Sequence, residues 1–61
     1  MKRRDLVRYL ERHGCEFLRE GGNYTVYVNR AVRKTSTVPR YREVFDFLAQ
    51  KICKDLDIPQ P

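Results

Sequence analysis

The chain has 61 residues, 13 basic and 8 acidic, with one histidine and a formal charge of +5. At this length folding buries only about 60% of the surface the unfolded chain exposes, which leaves one thin core and excludes a deep cofactor pocket. No run approaches the ~20 apolar residues of a membrane span, and the stretch after Met1-Lys2-Arg3-Arg4 mixes charged with apolar residues, unlike a signal peptide, so one soluble, cytoplasmic domain over residues 1–61 is expected.

The first element is a helix over residues 3–13. Leu6, Leu10 and His13 fall on one stripe, flanked by Val7 and Tyr9. Asp5 in the first turn and Arg12 and His13 in the last match the helix dipole, and Gly14 supplies the left-handed residue that ends many helices. Cys15 to Glu20 is a strand whose faces the pattern does not settle. Gly21-Gly22-Asn23 is a turn, and Tyr24 to Asn29, rich in β-branched and aromatic residues, is the clearest strand. Arg30 to Lys34 is a basic connection. Thr35 to Val38 is a short third strand stopped by Pro39. The second helix is expected over residues 42–56, with Val44, Phe45, Leu48, Ile52 and Leu56 as its apolar stripe and Asp57-Ile58-Pro59 as its stop. Tyr9 and Phe47 read as core or core-rim residues.

This order predicts an α+β fold, α-β-β-β-α. A three-stranded antiparallel sheet has one face to bury, and each helix has one apolar stripe. Both helices therefore belong on one face, with the other face open as the working surface.

The charge is uneven. Residues 1–20 carry six bases and four acids, and residues 43–61 carry two bases and four acids. Residues 21–42 carry Arg30, Arg33, Lys34, Arg40 and Arg42 and no acid. An acid-free basic block reads as an anion-binding face, with nucleic acid the commonest anion, against the blander reading of a solvated loop. Cys15 and Cys53 form no metal-ligand spacing and read as reduced packing residues. No metal or cofactor is expected.

Four segments together resemble one family. They are Lys2-Arg3-Arg4-Asp5-Leu6 with Leu10-Glu11-Arg12-His13-Gly14-Cys15, then Leu18-Arg19-Glu20-Gly21-Gly22-Asn23, then Lys34-Thr35-Ser36-Thr37-Val38-Pro39-Arg40, then Ile52-Cys53-Lys54-Asp55-Leu56 with Pro59. In this order they resemble the HicA toxins of bacterial toxin–antitoxin pairs. The resemblance implies a double-stranded-RNA-binding-domain-like fold, an endoribonuclease (mRNA interferase) that cleaves mRNA, and a HicB-type antitoxin as partner. It also implies one catalytic histidine on the second strand, three residues before a tyrosine.

The chain departs from that pattern. Tyr24 stands at the histidine position, with Tyr27 as the downstream tyrosine. Tyr41 stands where a second family histidine often follows Val-Pro-Arg, which leaves His13 as the only imidazole. A phenol has a reference pKa of about 10, so as a general base at neutral pH it starts about three orders of magnitude behind an imidazole. Two readings of Tyr24 stay open: loss of the catalytic base, or a phenol that acts as acid or stacks on a base. Two readings of Tyr27 stay open as well, a stacking surface for RNA or a packing residue. His13 reads as a capping or packing residue before a catalytic one. The expected RNA-binding set is Asn23, Tyr27, Arg30, Arg33, Lys34 and Arg40. The expected antitoxin sets acidic or apolar groups over Tyr24 and Arg33. A non-catalytic module that binds RNA or an antitoxin on the same scaffold is the alternative.

Overall fold

The computed structural model describes all 61 residues. The order is α1 (Arg3–Arg12), β1 (Cys15–Glu20), β2 (Tyr24–Asn29), β3 (Lys34–Pro39) and α2 (Asp46–Asp55). The three strands form one antiparallel sheet in the order β1-β2-β3. This is the α-β-β-β-α arrangement expected from the sequence, with two helices against the sheet, consistent with a double-stranded-RNA-binding-domain-like fold.

Strand alternation sorts the sheet into two faces. One carries Cys15, Tyr27 and Val38, which join Leu6 and Leu10 of α1 and Ala49, Ile52 and Cys53 of α2, with Leu56, in one core. Polar residues of that face tie the helices down. Arg3 donates to the Thr25 hydroxyl at 2.9 Å, Asn29 donates to the Leu56 carbonyl at 2.8 Å, and Ser36 donates to Asp55 at 3.1 Å. The other face carries Tyr24, Val26 and Val28. Both valines are buried, yet neither belongs to the core. They sit on the central strand, shielded by register partners on either side: Arg19 and Thr37 flank Val26, and Glu16 and Thr35 flank Val28.

A bulge between Phe17 and Arg19 leaves Leu18 unpaired in β1. Phe17 faces the helices and meets Tyr27 edge-on at 6.5 Å. Beyond the bulge the alternation shifts by one residue. Arg19 then faces outward opposite Val26, and Glu20 faces Thr25. This explains why the sequence pattern of β1 leaves its faces undecided.

The second helix is shorter than the apolar stripe suggests. Arg42 to Phe45 are not helical, because this segment pairs with the chain start: Arg3 N–H donates to the Arg42 carbonyl and Val44 N–H donates to the Met1 carbonyl, at 2.8 Å each, around a Lys2–Glu43 bridge. Val44 is buried from this segment. Phe45 is not on the buried stripe but 73% exposed, and Phe47, expected at the core, is 70% exposed. Phe47 lies two residues before the buried Ala49, which puts it on the opposite side of the helix.

The helix ends are also specific. Gly14, at φ +85, closes α1. At the end of α2 the N–H of Ile58 bonds the Cys53 carbonyl and that of Asp57 bonds the Lys54 carbonyl, a Schellman closure with Asp57 at φ 57 in the position glycine usually fills. Proline thus follows the stop rather than making it.

Candidate nucleic-acid interface

Tyr24 opens β2 beside the hairpin turn. Gly21 N–H donates to the Tyr24 carbonyl at 2.9 Å, and Gly22 and Asn23 form the tip. Neither tip residue is left-handed. The glycine needed for close approach is Gly21: a Cβ there would stand 2.4 Å from Tyr24 Cε1. The ring thus lies against bare backbone, with the residue 38% exposed on the open side of the sheet. Asn23 is exposed at the turn tip next to it.

Thr25, one residue on, faces the helices and anchors a polar chain. Its hydroxyl donates to Glu20 at 2.9 Å and accepts from Arg3, whose Nε also donates to the Pro39 carbonyl at 2.9 Å. The other oxygen of Glu20 pairs with Arg40. Tyr24 is the register partner of Pro39, so Arg40 leaves the sheet beside it.

Arg40 leads into a groove of about 580 Å³ lined by Lys2, Arg3, Arg4, Arg40, Arg42 and Glu43, with no apolar residue. Glu43 lies 3.6 Å from the Met1 amino group, which offsets its charge. Lys2, Arg4 and Arg42 make no ion pair and no side-chain hydrogen bond. Three consecutive cations also crowd the start of α1, where the helix dipole disfavours positive charge and where no side chain caps the helix. Asp5 in the same turn and Glu43 in the groove offset part of this charge, and the remainder favours an anion. The sequence carried that signal in Lys2-Arg3-Arg4, but residues 1–20 taken as a block conceal it behind their four acids.

The remaining expected cations stand elsewhere. Arg30 and Arg33 lie in the β2–β3 turn, and Lys34 opens β3 opposite Asn29. Tyr24 and Asn29 are five residues apart on one strand, ~17 Å at about 3.3 Å per residue. The structure therefore brings Tyr24, Asn23 and Arg40 together and places Arg30, Arg33 and Lys34 at the opposite end. Arg30 is paired with Glu16 at 3.1 Å. Arg33 is held at φ 57, a strained conformation for arginine.

Tyr27 is corrected from a stacking surface to a packing residue. It is 6% exposed, faces the helices and joins the core. Burial raises its phenol above the ordinary value, Glu11 adds to the rise and Arg3 opposes it. His13, the only imidazole, caps the C-terminal end of α1, packs its ring 4.4 Å from that of Tyr9, and directly precedes Gly14 and Cys15, the partner of Asn29. It therefore sits at the end of the sheet away from Tyr24. Burial also raises the thiols of Cys15 and Cys53, which keeps both neutral and unreactive in the core.

The chain is thus a small cationic α+β domain with an open sheet face and a basic groove that has no apolar lining. Comparison with known families matches residues 3–58 to the HicA toxin of bacterial toxin–antitoxin systems. The chain belongs to the HicA toxin family. Neither a curated protein nor a solved structure matches it.

Proposed function

We propose that the chain is an mRNA-directed toxin, an endoribonuclease scaffold whose cleavage is weak or absent because Tyr24 occupies the position of the catalytic histidine. The observation that carries this reading is that Tyr24 and Arg40 lie at the same end of the sheet, Arg40 directly following Pro39, the register partner of Tyr24, and leading into the cationic groove. Metal-free cleavage takes the proton from a ribose 2′-OH, lets that oxygen attack phosphorus, and returns a proton to the leaving 5′-oxygen. Arg40 and its neighbours suit the phosphate and the charge that develops on it. A phenol is a poor base for the first step, so binding outlasts catalysis. In this reading Asn23, at the turn tip, contacts the ribose or a base, and Arg30, Arg33 and Lys34, at the other end of the sheet, add further phosphate contacts. A HicB-type antitoxin would have to span the sheet to cover both Tyr24 and Arg33.

A second reading, a non-catalytic module that binds RNA or an antitoxin, is favoured by one observation: His13 is at the far end and cannot substitute. The test compares the chain with Tyr24→His and Tyr24→Phe on a long mRNA without metal. The lost-base reading expects cleavage from Tyr24→His alone. If the unmodified chain cleaves well and Tyr24→Phe does not, the phenol is the catalyst. If all three bind RNA and none cleaves, the non-catalytic module is the better account.

A further inference from the structure

Two exposed features adjoin in the segment before and at the start of α2, and the proposed catalytic position uses neither fully. The first is the basic groove, where Lys2, Arg4 and Arg42 stand unpaired. The second is an aromatic pair. Phe45 and Phe47 are 73% and 70% exposed, and their rings stack on each other at 5.9 Å, 14° from parallel. Tyr41, between two groove residues, is 71% exposed. Tyr41 thus stands between the groove cations Arg40 and Arg42, and Phe45 and Phe47 follow Glu43 and the buried Val44 on either side of Asp46, whose charge, like that of Glu43, is offset by the Met1 amino group; Phe45 is two residues from the groove wall.

In a chain this small, three largely exposed rings are costly surface unless a partner uses them. The rings lie beside unpaired cations, so the partner carries both negative charge and flat apolar faces. A groove with no apolar lining does not suit a small apolar ligand, which needs hydrophobic walls. Phosphate and base together satisfy both features, provided the bases are unstacked and free to meet a ring. That condition selects single-stranded over duplex RNA.

We infer that the groove and the Phe45–Phe47 pair form a single-stranded RNA track that leads away from Tyr24, with phosphates on Lys2, Arg4 and Arg42 and bases on the phenylalanines. The inference rests on RNA being the target of the chain, and it deepens that reading by fixing the strandedness and path of the RNA. The path runs along the segment between β3 and α2, away from the Arg30–Lys34 turn.

The test is fluorescence anisotropy with a labelled single-stranded RNA of about 10 nucleotides and the corresponding duplex, titrated against the full chain over a range of salt. Three variants are compared: Lys2→Ala/Arg4→Ala/Arg42→Ala, Phe45→Ala/Phe47→Ala, and Arg33→Ala/Lys34→Ala. All these side chains are solvent-facing, and circular dichroism with thermal melts confirms that each variant is folded. The groove variant is expected to bind single strands at least about 10-fold more weakly and to lose about 2 from the salt slope, near 0.7 for each phosphate contact removed. The phenylalanine variant is expected to lose at least about 5-fold on single strands, and more if each ring stacks its own base, with little change on duplex and an unchanged salt slope. If both variants bind like the parent while Arg33→Ala/Lys34→Ala loses affinity, the track is refuted and the RNA reading stands. If the parent binds no RNA at all, both fail together. A polyglutamate peptide serves as the protein-like control. If the groove variant loses it as fully as it loses RNA, and the phenylalanine variant loses neither, the groove is a general polyanion site and the track is overturned.

Discussion

The two ends of the sheet solve opposite problems. At the Asn29 end, side chains are spent on structure. Asn29 donates to the Leu56 carbonyl and accepts from Ala31 N–H at 3.3 Å, fixing α2 and the β2–β3 turn together. Arg30 is neutralised by Glu16, and His13 is occupied as a helix cap against Tyr9. At the Tyr24 end, Arg3, Thr25 and Glu20 make the scaffold, and around it three cations and one aromatic ring remain uncommitted. Positive charge alone does not separate the ends, since Arg33 and Lys34 are unpaired at one as Lys2, Arg4 and Arg42 are at the other and Arg40 is paired with Glu20; what separates them is the groove that gathers cations at the Tyr24 end.

The contrast breaks most readily at catalysis. Tyr24→His should raise RNA cleavage by about 10²–10⁴-fold, the usual contribution of a general base. Lys34→His, which places the same imidazole at the other end, should raise it not at all. A side-by-side cleavage assay reads both; equal gains would mean that the two ends do not differ in the way described.

Stability should show the reverse polarity. Asn29→Ala leaves the buried Leu56 carbonyl without its donor and should cost about 1–3 kcal/mol. Asn23→Ala, at the exposed tip of the other turn, should stay within about 0.5 kcal/mol. Urea unfolding at neutral pH distinguishes them, and a larger loss from Asn23→Ala would reverse the assignment.

Arg33 sharpens the comparison further. Its left-handed backbone costs a non-glycine residue about 1–2 kcal/mol, and the added freedom of the unfolded chain offsets about 0.5–1 kcal/mol of that, so Arg33→Gly should raise stability by roughly half the strain. A melting temperature that falls would show that the arginine holds the turn by contacts of its own.

The smallest effect belongs to the shared core. Cys15, Cys53 and Tyr27 all have raised pKa values through burial. Their stabilising contribution is complete below the ordinary thiol value of 9.0. As pH rises beyond it, the unfolded chain loses protons that the folded chain keeps, and stability falls. Urea midpoints should therefore be flat in this respect up to about pH 8 and decline towards about pH 10. Cys53→Ala should flatten part of that decline.

The sequence by itself determined the element order, the helical stripes of Leu6, Leu10, Ile52 and Leu56, the turn before Tyr24 and the family. Each is a local or periodic property, set by side-chain spacing along one element. It also located the cationic excess, but along the chain rather than in space. Tertiary structure decided the rest. Only the bulge at Leu18 decided which way Arg19 and Glu20 point, because one inserted residue exchanges the faces of everything after it. Only the pairing of residues 1–3 with 42–44 shortened α2 and brought Lys2 and Arg4 beside Arg42. Only strand direction set Arg40 at one end of the sheet and Arg33 at the other. Tyr27 passed from candidate surface to core for the same reason: which face of β2 is buried depends on where the two helices dock, a non-local contact that the alternating residues of the strand do not encode.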